Sequence, residues 1–179
     1  MADEKKDPWL NYLALTTVIL AVCATLSTFK GGGYSTRTVI NQSMAANQWS
    51  YYQAKSIKGY LYEIQKQNLE LTIKEKGGKI DPAALAAYQT VLADDTTQIA
   101  RYSLEKAQIQ ADAKKFEDIR DHAQRHSQVF GMAVIFLQIA ILLSSIAALL
   151  KKKLVWILGL AVGLVGMGYF IYAVSPLLQ

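Results

Sequence analysis

Three long stretches without a charged residue constrain the fold of this chain more than any other feature. They cover residues 9–29, 129–150 and 154–179. At about 1.5 Å of rise per residue, a helix of ~20 residues reaches ~30 Å, which is the thickness of the hydrocarbon core of a bilayer. We therefore predict three transmembrane helices, over residues 9–29, 129–150 and 154–175, with residues 176–179 as a short C-terminal tail.

Three consecutive lysines, Lys151, Lys152 and Lys153, separate the last two uncharged stretches. A single helix through them would place three ammonium groups in lipid, each at a cost of at least ~2.5 kcal/mol near the centre. A pair of spans instead keeps the lysines at the lipid headgroups. The sequence thus predicts a basic turn at residues 151–153, and the positive-inside rule puts this turn and the tail at residues 1–8 in the cytoplasm.

The polar middle of the chain, residues 30–128, has the composition of an ordinary soluble helical domain. On the orientation above it lies outside the membrane on the periplasmic side. Its first residues, KGGGY, predict a flexible exit from the first span, because glycine leaves the backbone unconstrained. A helix capped by Ser35 or Thr36 is expected to follow.

A second break, at GGKIDP, predicts a turn near residues 77–81. Asp81 is a good N-cap, and Pro82 suits the first position of a second helix, which should continue directly into the second span. The predicted fold class is therefore all-α: three transmembrane helices, with a long antiparallel helical hairpin between the first and the second.

Residues that are apolar apart from Asn68, Asp95 and Lys106 step by three and four along both arms of this hairpin, which is the spacing of a left-handed helix pair. In the first arm they form a row that we call the aliphatic row, consisting of Ala54, Ile57, Leu61, Ile64, Asn68 and Leu71. In the second arm they form the second-arm row, consisting of Leu85, Tyr88, Leu92, Asp95, Ile99, Tyr102, Lys106, Ile109, Ala113 and Phe116. We predict that these two rows face each other, and that their polar members either fix the register or simply lie near solvent.

Apolar and small residues outside that contact predict a further helix packing on the chain, most simply from a second copy. They are the aromatic row of the first arm (Trp49, Tyr52, Ser56 and Tyr60), the alanine row of the second arm (Ala100, Leu104, Ala107 and Ala111) and the glycine pair of the third span (Gly159 and Gly163). Glycines four apart let helices approach closely in lipid, and the partner of this pair is either another copy or a span of the same chain. The competing interpretation is that exposed tyrosines and alanines are ordinary on solvated helices.

Motifs for chemistry are scarce. We find no HExxH, CxxC, nucleophile elbow or phosphate-binding glycine loop, and none of the spans contains a charged residue. Asp118, His122 and His126 follow one another at single helical turns and could hold a divalent ion, although solvated side chains near a membrane explain them as well. We predict that the protein is not an enzyme and has no cofactor, and the sequence identifies no small-molecule substrate. Basic residues interleaved with acidic ones also argue against nucleic acid as a partner, despite a net charge of +5.

The segment NQWSYYQAKSIKGYLYE resembles a family of small bacterial membrane proteins catalogued as domain of unknown function 4337. The matching residues are Gln48, Trp49, Tyr51, Tyr52, Gln53, Ala54, Lys55, Ser56, Ile57 and Lys58, and ATLSTFKGGGYSTR is similar as well. The resemblance implies a multi-pass protein of the bacterial inner membrane. It supplies no catalytic residue.

From these observations we expect a non-enzymatic structural or accessory inner-membrane protein. It would self-assemble, or dock on a larger membrane complex, through its hairpin and its spans. A pore-forming oligomer is the first alternative, since uncharged spans can line a channel. A membrane-proximal metal sensor or enzyme built on Asp118, His122 and His126 is the second.

Overall fold

The computed structural model describes residues 8–175, which are helical almost throughout. Three α-helices follow one another: α1 is Pro8–Lys76, α2 is Pro82–Leu150 and α3 is Lys153–Val174. A single 3₁₀ turn, Gly77–Lys79, lies between α1 and α2, and the described chain contains no strand. Each of the three helices contains a stretch long and apolar enough to cross a membrane. The predicted all-helical class is therefore confirmed.

The predicted break between the first span and the hairpin is wrong. Residues 31–33 continue α1 as regular helix, and Ser35 and Thr36 lie inside it rather than at a cap. The hydroxyl of Thr36 donates back to the carbonyl of Gly32 at 3.1 Å, as in a helix interior. Spans and hairpin are thus not separate elements, because α1 and α2 each run through both regions for 69 residues.

Close packing against α2 explains why the glycine segment stays helical. Each glycine costs a helix interior about 1 kcal/mol relative to alanine. Gly31, however, lies where Phe130 approaches, and a Cβ at Gly31 would be 3.0 Å from the Cβ of Phe130. The hydroxyl of Ser127 also donates to the Gly31 carbonyl at 3.3 Å, and Tyr34 stacks on Phe130 with ring centroids 5.9 Å apart. These contacts offset the low helix propensity of the segment.

The turn between α1 and α2 follows its sequence signals. Gly77 has a φ of +50°, a left-handed conformation that glycine adopts without strain. Asp81 caps α2: its carboxylate accepts a hydrogen bond from the backbone N–H of Ala84 at 3.3 Å, and its carbonyl accepts from Leu85 at 2.9 Å. The predicted helix start at Pro82 is confirmed.

The turn between α2 and α3 is shorter. α2 ends at Leu150 and α3 begins at Lys153, so only Lys151 and Lys152 connect them. Lys151 has a φ of +50°, and the N–H of Lys152 bonds to the carbonyl of Ala147 at 3.2 Å. The three lysines therefore mark a bend between two helices, as the sequence predicts.

The chain divides into two compact units. Within the described residues, 8–40 and 119–175 form the first unit, which contains parts of α1 and α2 together with all of α3. Its core includes the buried side chains of Leu20, Ala24, Leu137 and Ala140. The second unit, Asn41–Asp118, is an antiparallel pair made from the remaining parts of α1 and α2.

Buried glycines on α3 bring its backbone against the other helices of the first unit. A Cβ at Gly163 would lie 3.0 Å from a methyl carbon of Leu20. One at Gly166 would lie 2.9 Å from the backbone nitrogen of Leu137. Such backbone proximity cannot be relieved by moving a flexible side chain, so Gly166 is required by packing.

Replacing Gly166 should therefore destabilise the first unit. We expect Gly166→Ala to lower the free energy of unfolding by about 1–3 kcal/mol through overpacking, measured as a lower unfolding temperature of the full chain in detergent. Gly168→Ala is the matched control, because a Cβ there meets nothing within 4 Å. Equal unfolding temperatures for the two variants would contradict the packing role of Gly166.

Candidate assembly surface

Within Asn41–Asp118, α1 contacts α2 through a row of residues in which polar and apolar side chains are mixed. We call it the contact row. Its members step by three and four and are all buried or half-buried: Ala45, Gln48, Tyr52, Lys55, Gly59, Tyr62, Lys66, Leu69 and Ile73. On α2, every member of the second-arm row is buried or half-buried. The prediction for the second arm is therefore confirmed.

For the first arm the prediction is wrong, because the aliphatic row does not face α2. All six of its members are exposed, and Ile57, Leu61, Ile64 and Leu71 are between 54% and 61% exposed. At 100° per residue, the aliphatic row lies about 160° around α1 from the contact row. Large apolar side chains thus occupy the outer side of the helix pair.

Three members of the contact row show how it packs against α2. Gly59 is buried, and a Cβ there would lie 3.6 Å from the Cβ of Tyr102, which is an ordinary van der Waals contact. Tyr62 stacks on Tyr102 with ring centroids 5.8 Å apart. Lys55 supplies its charge to α2, where its ammonium group lies 2.6 Å from the carboxylate of Glu105.

The ion pair between Lys55 and Glu105 has aromatic neighbours. The ammonium of Lys55 lies 5.3 Å from the ring of Tyr51 and 5.4 Å from that of Tyr102. Hydrogen bonding to Glu105 raises the pKa of Lys55, and the same hydrogen bond lowers the pKa of Glu105. Both groups are therefore held in their charged forms.

Three members of the aromatic row are partly covered within the chain, and their role in assembly stays a prediction. The indole N–H of Trp49 donates to the carboxylate of Glu117 at 2.9 Å. The ring of Tyr52 packs edge-on against Trp49 at 5.6 Å, and Ser56 is half-buried. Tyr60 remains exposed, with the ammonium of Lys106 at 5.5 Å from its ring.

The alanine row is exposed along its whole length. Ala100, Ala107 and Ala111 are exposed, and Leu104, at 75%, is among the most exposed large side chains of the described residues. The second unit thus carries two outer rows, one on each helix. The role of the alanine row in assembly stays a prediction.

The glycine pair has its partner within the chain. Gly159 and Gly163 are buried on α3. A Cβ at Gly159 would lie 3.3 Å from the carbonyl oxygen of Ala140, and one at Gly163 would lie 3.3 Å from the Ala140 Cβ. Of the two partners that the sequence leaves open, the structure shows a helix of the same chain.

One buried carboxylate stands out in the second-arm row. Asp95 is 1% exposed, and its Oδ1 accepts a hydrogen bond from the amide of Gln65 at 3.3 Å. Its Oδ2 is buried and has no hydrogen-bond partner among residues 8–175. A carboxylate with a single donor in a helix contact costs stability, and it favours the register in which that donor is present.

The histidines predicted as possible metal ligands lie near aromatic rings. The rings of His122 and His126 are 4.8 Å apart, and His126 is buried and stacked on Tyr34 at 4.5 Å. Within residues 8–175, no three His, Cys, Asp or Glu side chains come close enough together to hold a metal ion. The structure therefore does not assemble the set Asp118, His122 and His126 as a site.

These features define an all-helical protein with three helices apolar enough to cross a membrane and a paired-helix unit whose outer faces carry exposed apolar rows. The family described as Domain of unknown function (DUF4337) matches residues 9–176, and the chain belongs to this family. This confirms the resemblance found in the sequence. Comparison with curated proteins and with solved structures gave no match.

The Lys55–Glu105 pair predicts a defined pH dependence of stability. Because the pKa of Glu105 is lowered from its usual 4.5, the stabilisation is complete above about pH 4.5 and is lost as the pH falls through the lowered value. Because the pKa of Lys55 is raised from 10.5, the stabilisation is complete below about pH 10.5 and is lost as the pH rises through the raised value. Lys55→Met should thus lower the unfolding temperature between these limits and have little effect beyond them. Lys74→Met, at an exposed lysine, should have little effect at any pH.

Asp95 predicts a substitution that stabilises the helix pair. Asp95→Leu removes the unpartnered oxygen and leaves the exposed Gln65 free to bond water, so we expect the free energy of unfolding to rise by about 1 kcal/mol or more. Asp94→Leu, at the exposed neighbouring carboxylate, should change it by less than about 0.5 kcal/mol. Chemical denaturation of both variants measures the difference. A loss of stability in Asp95→Leu would show that the carboxylate makes a net favourable contribution.

Proposed function

We propose that this protein is a non-enzymatic structural or accessory protein of the bacterial inner membrane. It self-assembles, or docks on a larger membrane complex, through the outer faces of its second unit, Asn41–Asp118. The observation that carries this proposal is the exposure of the aliphatic row.

An exposed row of this kind has a physical cost. Single exposed apolar side chains are normal on proteins, but a helix paired on one side is expected to be polar on the other. Here large aliphatic side chains at positions 57, 61, 64 and 71 lie in line on the outer side of α1. Contiguous apolar patches on a polar protein are typical of interaction sites, so the row favours a binding role.

The alanine row of α2 adds a second outer face. Small side chains at Ala100, Ala107 and Ala111 allow another helix to come close to the backbone, and Leu104 projects between them. Two outer faces on one helix pair suit a subunit that has more than one neighbour.

The membrane setting is part of the proposal. The exposed turn at Lys151 and Lys152 suits contact with lipid headgroups, and tryptophan prefers the same depth. Trp156, one helical turn further on, packs against Trp9 with ring centroids 6.1 Å apart, and its N–H donates to Thr16 at 3.3 Å. We place this end of the first unit at the cytoplasmic surface and the second unit in the periplasm.

A pore-forming oligomer is the second candidate, and one observation favours it. Gln138 is exposed in the middle of the most apolar stretch of α2. A side-chain amide facing lipid needs a polar partner. In a ring of several copies, the Gln138 side chains would bond to one another and would also line a polar path through the membrane.

The mass of the purified full-length protein tests the main proposal. Light scattering corrected for bound detergent should give a multiple of 19.8 kDa, or a defined complex with a second membrane protein that survives gentle solubilisation. A chain that is monomeric over a wide range of detergent-to-protein ratios, with no complex, would overturn it. Ion flux through liposomes that contain the purified protein separates the candidates, because a pore conducts and an accessory subunit does not.

A further inference from the structure

We propose that the aliphatic row of α1 packs against the aliphatic row of neighbouring copies of the chain. The helices form a parallel coiled coil in which identical residues lie at the same level. This inference rests on the proposed self-assembly and adds the surface, the direction and the register. The row qualifies as a coiled-coil interface because its members step by three and four over residues 54–71.

The direction follows from the membrane. Copies inserted in one bilayer with the same orientation have α1 helices that run the same way, so rows on neighbouring copies meet in parallel. Each residue then faces its own counterpart: Ile57 meets Ile57, Leu61 meets Leu61, and Ile64 meets Ile64.

Asn68 is the polar member of the row, and a parallel pairing explains it. Its amide both donates and accepts hydrogen bonds, so it can pair with the Asn68 of another copy. A single asparagine among the apolar positions of a coiled coil specifies register, because any shift places its amide against an aliphatic side chain. In the spacing of this row, Asn68 takes the a position, which is where such asparagines act.

The charges on either side of the row fit a copy of the same chain. The flanking side chains are Tyr51, Lys58, Gln65 and Thr72 on one side and Gln53, Tyr60 and Gln67 on the other. In a parallel coil, Lys58 lies opposite Gln53 of the neighbour, Gln65 lies opposite Tyr60, and Thr72 lies opposite Gln67. No like charges meet at these flanking positions, and Lys58 is their only charged side chain, so a strongly charged partner would find little there to bind.

The size of the row also favours a copy held in the same membrane. Residues 54–71 span about 26 Å at ~1.5 Å per residue, and a helix about 10 Å wide gives roughly 260 Å² per chain. A stable complex between freely diffusing proteins buries about 800 Å² on each side. A soluble partner would need more surface than the row offers. Chains confined to one bilayer meet at high effective concentration, so a smaller interface is sufficient for them.

Disulfide cross-linking of the full-length protein in membranes tests the proposal. In a Cys23→Ala background, which removes the only native cysteine, Ile57→Cys, Ile64→Cys and Leu71→Cys are made one at a time and oxidised. We expect disulfide-linked dimers from all three variants, because each position faces its own counterpart. Gln89→Cys, at an exposed position of α2, should give none.

Each alternative gives a different pattern. Cross-linking at position 64 without 57 and 71 would show antiparallel rows and overturn the proposal. Leu104→Cys is made in the same background: dimers there, with none at the three row positions, would place assembly on the alanine row, so that this inference fails while the proposed self-assembly stands. No dimer at any position, together with a monomeric mass, would overturn both.

A charge introduced at Asn68 provides an independent measurement. Asn68→Asp would place carboxylates against each other, so dimer formation through Ile64→Cys should fall by about fivefold or more at neutral pH. Measured relative to Ile64→Cys alone oxidised at the same pH, dimer formation should recover when the pH is lowered enough to protonate the carboxylates. Gln67→Glu, one residue away on the flank, should retain most of the dimer. Because positions 67 and 68 are both exposed within the chain, circular dichroism should show the same helix content for both variants. Equal dimer formation in the two variants would contradict the role of Asn68.

Discussion

Close approach of helix backbones at small residues is the constraint on which this structure depends. In the first unit it occurs where Gly31 meets Phe130 and where Gly166 meets Leu137. In the second unit the approach is looser, because a Cβ at Gly59 would make an ordinary van der Waals contact with Tyr102. Side chains at such points contribute little apolar area, so shape and spacing, rather than bulk hydrophobicity, select which faces of the helices meet.

The selection of helix faces by shape and spacing explains what could be predicted from the sequence and what could not. The two turns that the described residues contain were predictable because their chemistry is local: Asp81 and Pro82 are favoured at the start of a helix, and lysines are costly in lipid. The second-arm row was predictable because its apolar residues are all buried or half-buried. The prediction for the first arm was wrong because apolar spacing identifies the row of Ile57, Leu61 and Ile64. The contact with α2 is instead made by the contact row, which contains Lys55 and Gly59. The continuous helix at residues 31–33 depends on Phe130, nearly one hundred positions away, which no local rule includes.

A face that has coiled-coil spacing and is unused within its own chain remains available to others. α1 carries such a face on the side opposite to its contact with α2. The match to the family described as Domain of unknown function (DUF4337) covers nearly the whole chain, including this face. The buried carboxylate of Asp95 is consistent with a contact in which a specific register matters more than maximal stability.

The turn after α2 has a consequence for how this chain tolerates change. Only Lys151 and Lys152 link α2 to α3, so the number of residues in the link sets which side of α3 is presented to Ala140 and Leu137. Adding one residue would rotate α3 by about 100° and replace its glycines at that contact with bulky side chains. Different amino acids at these two positions should be far better accepted than a longer or shorter link. The length of the turn thus determines which face of α3 packs against α2.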